Sequence, residues 1–260
     1  MKKVLQIVAT LLLVGGISYL AIIANRDYQK GTCTGLHVEI QTEGTDSLIT
    51  NRQVMNIIEN QFDTITNKAI GSIPTAKIEH ELKSSPFIKD VDVLITMNRK
   101  LKVKIRSFSP LVRVVTPNQT SFYIDQSGYL VPVNPYQPMH VMLANGNINT
   151  NISDSALQKN LHFKKLNNFS VIEEIFNLAI QIRASRFLKA QVEQIYRNSD
   201  SEYELIPKVG DQLIIFGSAS LIDRKLKKLE AIYKQAIPKS GWDTYDAINL
   251  KYKNQVVCSK

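Results

Sequence analysis

Asp90 and Asp92 stand two residues apart in an apolar run, which puts two carboxylates on one face of a strand. Such a pair can share acid–base work. With no second carboxylate cluster, the plainer reading is a solvated strand face. His37, His80, His140 and His162 are scattered along the chain. His37 falls on the outward side of a strand pattern and His80 lies between Glu79 and Glu81 on a helical one, and neither spacing suits a metal ion. There is no Gly-rich phosphate loop, no Gly-x-Ser-x-Gly elbow and no His-Glu-x-x-His. We therefore assign no catalytic residue, cofactor site or metal ligand, and the missing motifs weigh against an enzyme. Two cysteines, Cys33 and Cys258, exclude a disulfide-dense scaffold and the multi-cysteine zinc modules.

Positive charge offers a different chemistry. The 260 residues carry 32 Lys and Arg against 23 Asp and Glu, a formal charge of +9. From Leu221 to Lys260 there are nine bases (224, 225, 227, 228, 234, 239, 251, 253, 260) and four acids (223, 230, 243, 246), so 9 − 4 = 5 of the net charges lie in the last forty residues. Arg224, Lys225, Lys227 and Lys228 fall largely off an apolar helical stripe, as a solvated helix face or a docking surface for an acidic partner would. The run Ile248-Asn-Leu-Lys-Tyr-Lys alternates, with Ile248, Leu250 and Tyr252 facing one way and Asn249, Lys251 and Lys253 the other. As a terminal edge strand it would either block unwanted pairing with its lysines or accept an acidic strand by β-augmentation.

The N-terminal residues set the compartment in which that charge acts. Val4 to Ala24 contains no charged side chain. Its length as a helix, about 31 Å, matches a hydrocarbon core of about 30 Å. Lys2, Lys3 and the terminal amine precede it, and the short tail favours a cytoplasmic N-terminus with the rest of the chain exported. A cleaved signal peptide is the alternative, but its apolar region would be shorter, about 7–15 residues. Export makes nucleic acid an unsuitable partner, and no basic patch is interleaved with aromatics. Asn118, Asn151 and Asn168 begin glycosylation triplets, a pattern short enough to arise by chance.

The remaining pattern is mixed α and β. Leu36–Ile40 alternates as a strand. Thr50-Asn-Arg-Gln53 is a capping box ahead of Val54, Ile57 and Ile58, and Pro74-Thr75 opens a second helix that Ser85-Pro86 ends. Strands follow around Val91–Ile95 and Leu101–Arg106, joined at Asn98-Arg99-Lys100. Beyond Pro110, Leu111–Val115 and Phe122–Val133 read as strands, residues 144–160 as a loop, and Ser170–Glu173 as a second capping box. Three strands are expected near 190–196, 202–207 and 211–216. Ile222, Leu226, Leu229 and Tyr233 then give the strongest helical spacing in the chain.

These pieces together resemble the FtsQ/DivIB cell-division family, particularly its Bacteroidota-type members. The resemblance is carried by Ser85-Pro-Phe-Ile-Lys-Asp-Val-Asp-Val, Ser109-Pro-Leu-Val-Arg-Val, Phe122-Tyr-Ile-Asp-Gln-Ser-Gly-Tyr-Leu-Val-Pro, the strand–Gly217–helix unit and the ending from Ile248 to Val257. It implies an α+β fold with a cytoplasmic tail (1–3), one transmembrane helix (4–24), a POTRA module of βααββ order (34–108) and a mixed β domain with a terminal edge strand (109–260). It also implies a non-enzymatic inner-membrane scaffold, enriched at the septum, that links septal peptidoglycan synthesis to the division ring. The expected partners are FtsB-like and FtsL-like proteins, bound by β-augmentation through Asn249, Leu250, Lys251, Tyr252 and Lys253. No cofactor is implied. A POTRA-bearing envelope assembly factor and a membrane-anchored envelope hydrolase are the alternatives.

Overall fold

The structure, a computed structural model, describes residues 2–42, 47–150, 152–167, 169–242 and 244–260. Met1 of the expected tail, Asn151, Asn168 and the acid at 243 lie outside them. The chain divides into two compact units, one of Met1–Gln41 with Ile49–Ser107 and one of Thr42–Leu48 with Phe108–Lys260.

The first unit begins with one continuous helix, α1 (Lys2–Lys30). Leu11, Leu12, Leu13, Val14, Ile17 and Leu20 on it are all exposed, so no described residue covers them. Among the described residues no helix is long and apolar enough to cross a membrane. The helix ends where the Tyr28 hydroxyl donates to the Thr96 carbonyl at 2.7 Å.

Strand β1 (Gly35–Gln41), helices α2 (Asn51–Phe62) and α3 (Thr75–Ser84), and the hairpin β2 (Ile88–Ile95) and β3 (Lys100–Ser107) follow, in the strand, helix, helix, strand, strand order expected. The sheet order is β1-β3-β2. β1 runs parallel to the central β3, which the two intervening helices make possible by carrying the chain back. The capping box forms as the sequence requires: Gln53 N–H donates to Thr50 Oγ1 at 3.2 Å, and Thr50 N–H to Gln53 Oε1 at 2.9 Å. Arg99, at φ 58°, makes the turn into β3. Val54, Ile58, Ile78 and Leu82 from the helices meet Leu101, Val103 and Ile105 from β3 in one buried cluster. The alternation along β3 thus sorts its apolar side chains inward.

The second unit is a nine-stranded sheet with helices packed on it. Its strands are β4 (Pro110–Val115), β5 (Ser121–Asp125), β6 (Leu130–Pro132) and β7 (Met142–Gly146), then β8 (Val192–Arg197), β9 (Tyr203–Pro207), β10 (Leu213–Gly217), β11 (Ala247–Asn249) and β12 (Val257–Ser259). The order across the sheet is β12-β11-β10-β9-β8-β7-β4-β5-β6. Helices α4 (Asp154–Gln158), α5 (Ser170–Ala184) and α6 (Arg186–Gln191) lie between β7 and β8, and α7 (Ile222–Gln235) and α8 (Ile237–Ser240) between β10 and β11. Ile172, Ile175 and Ile182 of α5 and Leu226, Leu229 and Tyr233 of α7 share the core with Phe122, Ile195, Tyr203 and Phe216 from the strands. The Tyr203 hydroxyl donates to the Glu174 carboxylate at 2.7 Å. Burial, followed by that carboxylate, pushes its pKa well up.

Three expectations change here. The loop expected over 144–160 contributes the end of β7, which lies parallel to both β4 and β8. Met-Leu-Ala-Asn-Gly has neither alternation nor β-branching, so pairing on both sides supplies what local propensity lacks. The capping box at Ser170 does not form, because the helix starts one residue earlier than that motif needs: Phe169 is the N-cap and no side chain caps it. The third change concerns the last strand.

Candidate partner-binding edge

The expected strand Ile248–Lys253 stops at Asn249. Leu250 N–H still donates to the Ile215 carbonyl at 2.9 Å, but the Asn249 side-chain oxygen then takes the Lys251 N–H at 3.0 Å. This local turn competes with the ladder and bends the chain away. Leu250 is fully buried, whereas Tyr252, expected on the same side, is 49% exposed. The chain returns as β12, antiparallel to β11, with Ala247 opposite Ser259 and Asn249 opposite Val257. The terminal edge is therefore β12 and not the run from 248 to 253. Of the five expected contact residues, Asn249 lies on the penultimate strand, Leu250 is core, and Lys251, Tyr252 and Lys253 sit on an exposed connection beside the edge.

Helix α7 holds that connection. Lys228 Nζ donates to the carbonyls of Tyr252 at 2.9 Å and Lys253 at 2.8 Å, and Arg224 donates to Asn254 Oδ1 at 3.0 Å. Lys251 Nζ lies 2.7 Å from Glu202 Oε2, and this bond raises the lysine pKa. Gly217 makes the approach possible. At φ 75° it occupies the left-handed region, and a Cβ there would come within 2.7 Å of Lys251 Cγ.

The bases of the helix thus have partners within the chain. Lys225 is 7% exposed, donates to the Ser218 carbonyl at 2.8 Å and lies 4.8 Å from the Phe216 ring centroid. Burial holds its pKa below the ordinary lysine value. Lys227 pairs with Asp223 and Lys234 with Glu230, each four residues along the helix. The ammonium group of Lys253 has no ion-pair partner among the described residues. A cavity of about 240 Å³ lies between the start of α7 and this connection, bordered by Ser220, Arg224, Leu250, Lys251 and Tyr252.

Sequence reasoning missed the clamp from Arg224 and Lys228, the Glu202 partner and the strand β12. A signal for β12 was present, since Val256-Val257-Cys258 is β-prone and follows the turn-forming Asn254-Gln255.

The other candidates resolve as structural groups. Asp90 pairs with Arg106 and lies 3.8 Å from Lys83, while Asp92 is exposed. His37, His80 and His140 are exposed; His162 accepts from Lys164 N–H at 3.2 Å and stacks on Phe163. Among the described residues no group of three or more His, Cys, Asp or Glu is placed to hold a metal. Cys33 and Cys258 are both free thiols, the first buried and the second half-buried.

A small βααββ module followed by a large mixed sheet with a hairpin at its end defines a two-module protein of the POTRA-bearing class. Residues 31–106 match the POTRA-like domain. Residues 109–259 match the family described as FtsQ/DivIB, C-terminal related, and the chain belongs to that family of cell-division proteins. No curated protein matches the chain significantly.

Proposed function

We propose that the protein is a non-enzymatic divisome scaffold, anchored in the inner membrane by residues 4–24 with its N-terminus cytoplasmic and the modules at 34–108 and 109–260 periplasmic. It binds FtsB-like and FtsL-like partners and links septal peptidoglycan synthesis to the division ring. The observation that carries this reading is the side of β12, the terminal strand of the nine-stranded sheet, that no strand among the described residues pairs, next to a connection presenting Tyr252 and Lys253 to solvent. A partner strand would add to β12, with acidic side chains reaching the lysines. Family membership supports a division role, and the exposed apolar side chains of α1 support an anchor.

Tyr252→Ala combined with Lys253→Glu tests the site, because both side chains are exposed and their loss leaves the clamp intact. Binding to the FtsB-like partner, measured by titration calorimetry on the full chain in detergent, should weaken by roughly tenfold or more, about 1.4 kcal/mol. Wild-type affinity in that variant would remove these residues from the interface.

A further inference from the structure

A larger cavity, of about 680 Å³, opens elsewhere in the second unit. It lies where the parallel strands β4, β7 and β8 begin, with β9 and β10 between these and the β11–β12 hairpin. Buried Leu111, Ala179 and Val192 form an apolar floor. Arg183, Lys189 and Lys208 line it with a single carboxylate, Glu193. None of the three bases has an ion-pair partner among the described residues.

Arg183 is the informative one. It is half-buried in the last turn of α5. With the Gln126 amide oriented so that its oxygen faces the guanidinium, that oxygen accepts from the two terminal nitrogens at 2.9 and 3.3 Å. A neutral amide fixes the direction of the side chain and leaves its positive charge uncompensated. The Gln126 oxygen takes the end of the fork, which leaves the Nε edge of the guanidinium to grip a carboxylate through two parallel bonds. Lys189 and Lys208 come from different segments, the end of α6 and the residue after β9. A simple anion would need one of these groups. Separate cations around an apolar floor, in a volume typical of ligand pockets, match an extended chain that alternates acidic and apolar side chains.

We infer that this cavity is a second docking site, for an acidic peptide segment of a partner protein, separate from the β12 edge. Its apolar side chain rests on Leu111 and Val192 while carboxylates meet Arg183 and the two lysines.

The probe is a fluorescein-labelled, terminally blocked Glu-Leu-Ile-Glu-Leu peptide, titrated against the full chain in detergent by fluorescence anisotropy. The control is the same peptide with Lys for Glu. Saturable binding of the acidic peptide alone is expected. Lys189→Glu with Lys208→Glu, both exposed positions, should weaken it by roughly tenfold with the melting temperature unchanged. Arg183→Lys, which keeps the charge but loses the fork, should weaken it by a smaller factor. Equal binding of the two peptides, no effect of the double variant, or displacement by citrate or anionic phospholipid micelles as effective as that by unlabelled peptide would overturn the proposal. So would loss of binding in Lys253→Glu, since that would place the peptide at the β12 edge of the sheet.

Discussion

Gly217 shows how much one residue decides. Its positive φ and the stem of Lys251 against its α-carbon leave no room for a side chain. Gly217→Ala should lower stability by about 1 kcal/mol or more from backbone strain alone. It should also push Lys251 off Glu202, which nuclear magnetic resonance would detect as a changed environment for the Lys251 ammonium. At Asp90 the prediction concerns pH. The bond from Arg106, helped by Lys83, holds this carboxyl below its ordinary value of 3.8. A carboxyl with a depressed folded pKa binds its proton more weakly in the native state than in the unfolded one. Its stabilising effect is therefore complete above about pH 4 and fades as pH falls through the folded value. Denaturant midpoints of wild type and Asp90→Asn should differ at neutral pH and converge in acid.

At the scale of elements, much of the first unit was legible because its signals are local. Thr50 and Gln53 cap a helix within four residues of chain, Ser85-Pro86 stops the next one, and β3 alternates without interruption. The second unit was legible where periodicity is strong, as in α7, and obscure where pairing decides. β7 has no strand signature of its own and exists because β4 and β8 flank it. The end of β11 was misjudged for the opposite reason: alternation continues through Tyr252, but the Asn249 side chain captures the next-but-one N–H and the ladder ends. The bases of α7 read as a solvated face or a docking surface, because sequence shows charge and not the carbonyl groups and carboxylates that hold it in place. Lys228→Met keeps the length of the side chain and removes its donors. Hydrogen exchange of residues 251–255 should accelerate in that variant, while the core amides of β9 and β10 keep their protection. Uniform loss of protection would mean that the clamp supports the whole sheet.

At the scale of the whole molecule, the apolar side chains of α1 from Leu11 to Leu20 have no cover among the described residues, and the two units each have a core of their own. With an anchor over residues 4–24, the full chain should float with phospholipid vesicles in a density gradient, and residues 31–260 should stay at the bottom. Flotation of the shorter chain would move the membrane contact into the folded units. The distribution of charge changes meaning at this scale too. Of the nine bases in the last forty residues, Lys227, Lys234 and Lys251 are ion-paired, while Arg224, Lys225 and Lys228 donate to neutral oxygens that fix their position and leave their charge. Near the edge, Arg224, Lys251, Tyr252 and Lys253 all face solvent, and of these Lys253 has no ion-pair partner among the described residues and no contact with the clamp through its side chain.

The shortness of β12 has a kinetic consequence. A strand laid against three residues gains two or three ladder bonds, each worth about 1 kcal/mol net. A micromolar complex needs about 8 kcal/mol, so backbone pairing alone would let a visitor leave almost as soon as it arrived. Residence time would instead be set by the side chains that flank the strand. Differences among related partners should then appear chiefly in how long each stays, and much less in how fast it arrives.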